Sequence, residues 1–142
     1  MVVPICTYAV PKPESRLGMS KSPISRALLS VFFLIGGFNH FINPDFYLPL
    51  IPPSLRYLGF INLVSGLLEI AAAIGLWIPK LKRATIYALI ALMLAFIPSH
   101  IYFIQLDSCV EHGLCVSNWV GWIRLIVIHP LLIYWIISVR NS

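Results

Sequence analysis

Residues 55–78 read LRYLGFINLVSGLLEIAAAIGLWI, and this stretch decides the fold. It is long enough to cross a bilayer, which takes roughly 20 apolar residues. Asn62 and Glu69 interrupt it. A charge at a bilayer centre costs about 3 kcal/mol on insertion scales, so Glu69 should face other helices, water or a ligand. Asn62, Gly66, Glu69 and Ala73 recur at helical spacing and share one face, with Ser65 beside them. Such a polar and small-residue stripe packs inward in a bundle.

Three further stretches repeat this character: residues 24–43 (ISRALLSVFFLIGGFNHFIN), 84–105 (ATIYALIALMLAFIPSHIYFIQ) and 118–139 (NWVGWIRLIVIHPLLIYWIISV). The expected fold is all-α, an integral membrane four-helix bundle. Composition agrees. Of 142 residues 59% are hydrophobic and 11% charged, and the mean hydropathy is +0.89; a soluble domain carries about 25% charged residues. Four spans leave no room for a soluble catalytic domain, so any chemistry is intramembrane or belongs to a partner. Residues 1–23 read as a flexible basic cytoplasmic tail and 24–142 as the membrane domain. The run from Met1 to Val10 is short and broken by Pro4, and the basic residues follow it, so it is not a signal peptide. Met19 is a second candidate start.

The connectors differ in kind. In PDFYLPLIPPS (44–54), Asn43 and Pro44 resemble a helix start, with Asn as cap and Pro at the first position. Pro49, Pro52 and Pro53 end that helix and Ser54 can cap the next span, so a short interfacial helix is expected here. PKLKR (79–83) is a basic turn, and LDSCVEHGLCVS (106–117) is a polar loop with two cysteines. The net charge is +5, but Lys and Arg cluster at span ends, which suggests topology and lipid headgroups rather than nucleic acid. With the N-terminus inside, Lys12, Arg16, Lys21, Arg26, Lys80, Lys82, Arg83 and Arg140 are cytoplasmic, against Arg56 alone in an outer loop. Both termini are therefore assigned to the cytoplasm. Cys109 and Cys115 then lie outside, in an oxidising compartment if this is a bacterial inner (plasma) membrane. They are either bridged or two unpaired thiols. Cys6 lies inside.

The intramembrane polar set is Asn39, His40, Asn62, Glu69, His100, Arg124 and His129. From the helix rise, His40, Asn62, His100 and Arg124 lie about 5–8 Å below the outer interface, and Glu69 and His129 roughly 15–18 Å down. The expectation is one outward polar layer with a deeper pair. On the third span Ala84, Ala88, Ala91, Ala95 and Ser99 form a candidate packing face. On the first, Gly36 and Gly37 allow close approach one turn before His40. Arg124 and His129, five apart, differ by about 140° on an α-helix and are not expected to face the axis together. Pro130 frees a backbone carbonyl one turn earlier. Each polar residue also has a structural reading. Glu69 could pair with Arg124 or bond His129, Arg124 could snorkel to headgroups, and His40 and His100 could bond loop carbonyls. No HxxxH or HxxE spacing occurs within a helix, so no metal site is read. The patterns GxGxxG, HExxH and CxxC and the phosphate-binding loop are missing too. Trp77, Trp119, Trp122 and Trp135 fit an aromatic belt.

Two regions carry a resemblance. GGFNHFINPDFYLPLIPPSL (36–55) leads into LVSGLLEIAAAIGLWIPKLKR (63–83), and ALIALMLAFIPSHIYF (88–103) precedes WIRLIVIHPLLIYWI (122–136). From Ala27 onward the chain resembles the DoxX-like small four-helix membrane proteins of bacteria. The matching motif residues are Asn39, His40, Pro44, Gly66, Glu69, Pro98, Arg124 and Pro130. The resemblance implies a four-helix membrane bundle, linked in some members to thiosulfate or quinone redox systems, and it assigns no catalytic role to these residues. The Cys109–Cys115 loop has no counterpart in it. The first functional expectation is a redox-associated subunit holding a quinone or similar apolar ligand near the outer leaflet. His40, His100 and Arg124 would bond its head and Glu69 would handle protons. The alternatives are a non-enzymatic scaffold for a partner membrane complex and an enzyme acting on a lipid through Glu69 and His129. Whether the isolated chain is an enzyme stays open, with the expectation leaning against it. The expected partners are the bilayer, a membrane redox complex or a second copy of the chain, and no nucleic acid.

Overall fold

The computed structural model describes residues 23–110 and 113–141. The basic tail and the choice between Met1 and Met19 lie outside them. The described residues form helices and loops without a strand. Helix α1 spans Pro23–Ile42, the short α2 spans Pro44–Tyr47 and runs into a 3₁₀ turn at Leu48–Leu50, α3 spans Leu58–Gly75 and α4 spans Lys82–Gln105. Helix α5 spans Asn118–Ser138 and is followed by a 3₁₀ turn at Val139–Asn141. The four long helices α1, α3, α4 and α5 are each long and apolar enough to cross a membrane.

Small residues bring α1 and α3 together. A Cβ at Gly37 would lie 2.8 Å from the Gly66 carbonyl oxygen, and one at Gly66 would lie 2.9 Å from the Gly37 carbonyl oxygen. Only glycine allows this mutual approach of two backbones. One end of the bundle is a packed apolar core built from all four long helices and including Leu29, Phe33, Ala73, Leu76, Leu89 and Ile136. Trp77 and Trp135 tie this end to α1, donating their indole N–H groups to Ser30 and Ser25, both at 2.9 Å. Satisfying the indole N–H lets each ring pack against apolar neighbours.

The structure corrects four expectations about packing and caps. Ala84, Ala88 and Ala91 are exposed, and α4 buries Thr85, Ile86, Leu89, Leu92 and Met93 instead. The larger side chains fill the space between helices, so the first part of the small-residue face turns outward, while Ala95 and Ser99 line the cavity described below. Ser54 does not cap α3. The chain turns at Pro52–Leu55, where Leu55 N–H bonds the Pro52 carbonyl at 2.9 Å, and α3 starts after Tyr57, which sits at φ 68°. Pro49 continues the helix as a 3₁₀ turn rather than ending it. Asn43 does stand at the start of α2, but its amide donates to Asn39 Oδ1 at 2.6 Å and makes no cap bond.

At the other end, the loop after α4 folds under its own constraints. Asp107 and Ser108 take left-handed backbone angles, Ser108 is fully buried, and its hydroxyl donates to Asn118 Oδ1 at 3.1 Å. Cys109 and Cys115 are disulfide-bonded, with their Cα atoms 3.9 Å apart. Below the loop, Val110 packs with Leu50 and Phe103.

Candidate functional site

Between the packed core and this loop the four long helices and α2 enclose a cavity of about 320 Å³. His40, Tyr47, Asn62, Glu69, His100, Arg124 and His129 all line it. Aromatic side chains, among them Phe33, Phe46, Phe96 and Phe103, supply much of the rest of the wall.

Proline shapes the backbone near the site at the α1–α2 junction, on α4 and on α5, whereas α3 has none. His40 lies four residues before Pro44, which has no N–H to close the helical bond to the His40 carbonyl. Asn62 Nδ2 donates to that carbonyl at 2.9 Å, and Asn62 Oδ1 accepts from His40 Nδ1 at 2.7 Å. This double bond sets the Asn62 amide and places the His40 ring proton on Nδ1. The other ring nitrogen, Nε2, faces Glu69 Oε1 at 3.9 Å. A single proton between Nε2 and the carboxylate would serve either group. Gly36 makes room for the carboxylate: a Cβ there would lie 2.7 Å from Glu69 Oε2.

Tyr47 completes this side. Its ring stacks on His40 with centroids 3.7 Å apart and planes 20° apart. Asn39 Nδ2 donates to the Tyr47 hydroxyl at 3.0 Å, so the phenol keeps its own proton to donate elsewhere. Burial pushes the Tyr47 phenol above its ordinary range, the Asn39 bond works against that rise, Glu69 adds to it and Arg124 opposes it. Asn39 itself does not line the cavity and acts by positioning Tyr47.

On α5 the structure overturns the expectation that Arg124 and His129 diverge. Residues Arg124–Ile128 form a π-helical turn, and the His129 N–H bonds the Arg124 carbonyl five residues back. A turn closed by this longer bond holds about one residue more than an α turn, so residues five apart nearly align. Pro130 accounts for the widening. It cannot bond the carbonyl four residues earlier, and its ring crowds that carbonyl. Both side chains therefore reach the cavity.

The structural pairings considered for Glu69 do not form. His129 Nε2 donates to the Met93 carbonyl at 2.9 Å, in the α4 turn that precedes Pro98. His129 and His100 meet edge to face at 4.9 Å between centroids. The Arg124 guanidinium lies 5.6 Å over the Phe103 ring, so it lines the cavity instead of snorkelling away. His40 and His100 bond no loop carbonyl among the described residues. Among the described residues, no hydrogen bond ties Glu69, His100 or Arg124 to another side chain. No three His, Cys, Asp or Glu side chains among the described residues gather to hold a metal ion.

Sequence reading missed Tyr47, Phe103 and the Met93 carbonyl. Tyr47 left one signal, the Asn39–Asn43 pair one turn apart leading into a proline-started helix. The other two depend on how helices are rotated.

A model of a family described as a domain of unknown function (DUF8561) matches residues 29–140. No curated protein and no solved structure matches the chain.

Proposed function

The chain belongs to the DUF8561 family, whose description assigns no activity, and we propose a function from its cavity: a multi-pass membrane protein that binds an apolar ligand with a hydrogen-bonding head, a quinone being the class that fits best. One observation carries this reading. Three ionisable side chains, Glu69, His100 and Arg124, open onto a cavity walled by aromatic rings without bonding to one another. Polar groups that face a cavity are satisfied from within it, by water or by a ligand. A ligand whose carbonyl oxygens accept from Arg124, His100 and Tyr47 would meet that need. The cavity stands at the small end of the roughly 300–1,000 Å³ range of ligand pockets, which suits a ring more than a long tail. Glu69 and His40, with one proton between them, suit the proton change that accompanies quinone reduction. Of the residues that carry the DoxX-like resemblance, His40, Glu69 and Arg124 line this cavity, and the resemblance favours a redox-associated role, with a membrane redox complex or a second copy as partner.

Membrane placement rests on the outer surface. Between 17% and 39% of each long helix's apolar window is buried inside the bundle, so most of it requires another apolar phase. The placement proposed is a bacterial inner membrane with both termini cytoplasmic, the end carrying Arg26, Lys82, Arg83 and Arg140 facing inward. In intact cells, a membrane-impermeant maleimide should label Cys109 and Cys115 only after a reductant is added. Labelling that also requires permeabilisation would reverse the topology.

The ligand is tested by calorimetric titration of the purified protein with a short-chain benzoquinone or naphthoquinone. Saturable binding near one per chain is expected, and Tyr47→Phe should weaken it about two- to tenfold through loss of one neutral hydrogen bond. Absence of saturable binding, together with no quinone in the protein isolated from membranes, would refute the reading.

A further inference from the structure

The polar cavity is closed on most of its sides. At the outer end Leu50 and Phe103, which line it, pack under Val110 of the cysteine loop, with Leu106, Leu114 and Val116 around them. This apolar roof stands between the polar groups and the water beyond. The Gly37–Gly66 contact seals α1 against α3, and the His129 bond to the Met93 carbonyl ties α5 to α4. Toward the other end lies the packed apolar core.

Helices α1 and α5 are joined differently. The pairs α1–α3, α3–α4 and α4–α5 each pack backbone against backbone, whereas α1 and α5 do not. Side chains near the basic end link them. Trp135 donates to Ser25 at 2.9 Å, and the Phe32 and Trp135 ring centroids lie 6.2 Å apart. Beyond that link the seam is open. A Cβ placed at Gly36, one turn after Phe32, would have Glu69 atoms within 4 Å and, among the described residues, no atom of α5. Phe32 lines the cavity and is also 46% exposed, so cavity and bilayer meet at this ring. Two apolar stripes border the opening. Leu28, Phe32 and Ile35 share one face of α1, and Ile128, Leu131 and Trp135 share one face of α5, by their three- and four-residue spacing. Leu28, Ile35, Ile128 and Leu131 are all exposed.

We infer that the ligand carries a long hydrocarbon tail, which leaves the cavity through the α1–α5 seam and lies between these two stripes. The ring enters from the bilayer by the same route. A cavity of about 320 Å³ holds a ring head and little more, so a tail must continue outside it. A roof toward water and an opening toward lipid suit a ligand dissolved in the bilayer. The inference rests on the quinone reading above and deepens it: the occupant is a long-chain, membrane-dissolved quinone.

The test uses full-length protein in detergent and a decyl benzoquinone with a photoreactive diazirine at the tail end. After illumination the labelled peptides are mapped by mass spectrometry, with and without an excess of the same ring bearing a methyl group instead of the tail. Labels displaced by the short-chain quinone should fall on residues 28–35 of α1 and 128–135 of α5. Ile128→Trp narrows the seam at a residue outside the cavity wall. It should weaken decyl-quinone binding about fivefold or more, the low end of an overpacking cost, with short-chain affinity unchanged. Displaceable labels on Leu55, Ile61 and Ala95, between α3 and α4, or on Phe46 would overturn the seam while the quinone reading stands. So would an Ile128→Trp variant that binds both quinones like the wild type. If the variant loses both, the label map of the wild type alone decides. Labels that the short-chain quinone does not displace, with no saturable binding of it, would refute the quinone reading and the tail with it.

Discussion

Arg124→Leu should lower the affinity for a short-chain quinone about 10–100-fold and leave the ligand-free protein as stable as before or more so. The two effects have one cause. A hydrogen bond to a charged group is worth about 1.5–3 kcal/mol, which sets the affinity loss. In the ligand-free protein Arg124 bonds no other side chain among the described residues, and its guanidinium carbon lies 5.6 Å from the Phe103 ring centroid. Removing a half-buried charge that has no ion-pair partner relieves desolvation and breaks nothing. Had Arg124 been paired with Glu69, its removal would strand the carboxylate and cost about 3–5 kcal/mol. Thermal unfolding and calorimetric titration of the same variant therefore separate the two roles. A large loss of stability with unchanged quinone affinity would assign Arg124 to the scaffold and remove the main support for the cavity as a binding site.

Gly66→Ala should destabilise the bundle by about 1–3 kcal/mol, the usual cost of overpacking, and weaken ligand binding with it. The new Cβ would lie 2.8 Å from His40 Cβ and 2.9 Å from both the Gly37 carbonyl oxygen and Phe41 Cε2. Two of those atoms belong to the backbone or sit next to it, so α1 itself must shift. His40 moves with α1, and its two bonds to Asn62 lengthen. Gly59→Ala is the control. No described atom lies within 4 Å of a Cβ there, and alanine in a helix gains about 1 kcal/mol over glycine. Opposite signs at two glycines of one helix, read by thermal unfolding in detergent, would show that close approach of α1 and α3 matters rather than helix propensity. Equal effects at both positions would rule that out.

Much of this was legible in the residues. Four apolar runs of spanning length require four long helices, because a bilayer-length run satisfies its backbone only as a helix or within a closed barrel. The stripe Asn62–Gly66–Glu69–Ala73 faces inward as its spacing requires, since all four are buried on α3. The Asn43–Pro44 helix start was also readable, although the Asn43 side chain does something other than capping. What misled was periodicity taken at face value. On α4 the regular alanines look like a packing face, but the opposite side carries Leu89, Leu92 and Met93, which fill volume better. On α5 the α-helical angle between Arg124 and His129 does not apply, because the turn between them is π.

The sequence by itself determined the number of helices, their lengths and the height of each polar residue along its helix, for those follow from composition and a fixed rise per residue. Only the tertiary structure decided which groups meet: His40 with Asn62, His129 with the Met93 carbonyl, Tyr47 folded onto His40, and Arg124 turned into the cavity. The reason is rotation. A one-residue change in the winding of a helix swings every later side chain by about 100°, and whether a proline bends, widens or ends its helix depends on the neighbours packed against it.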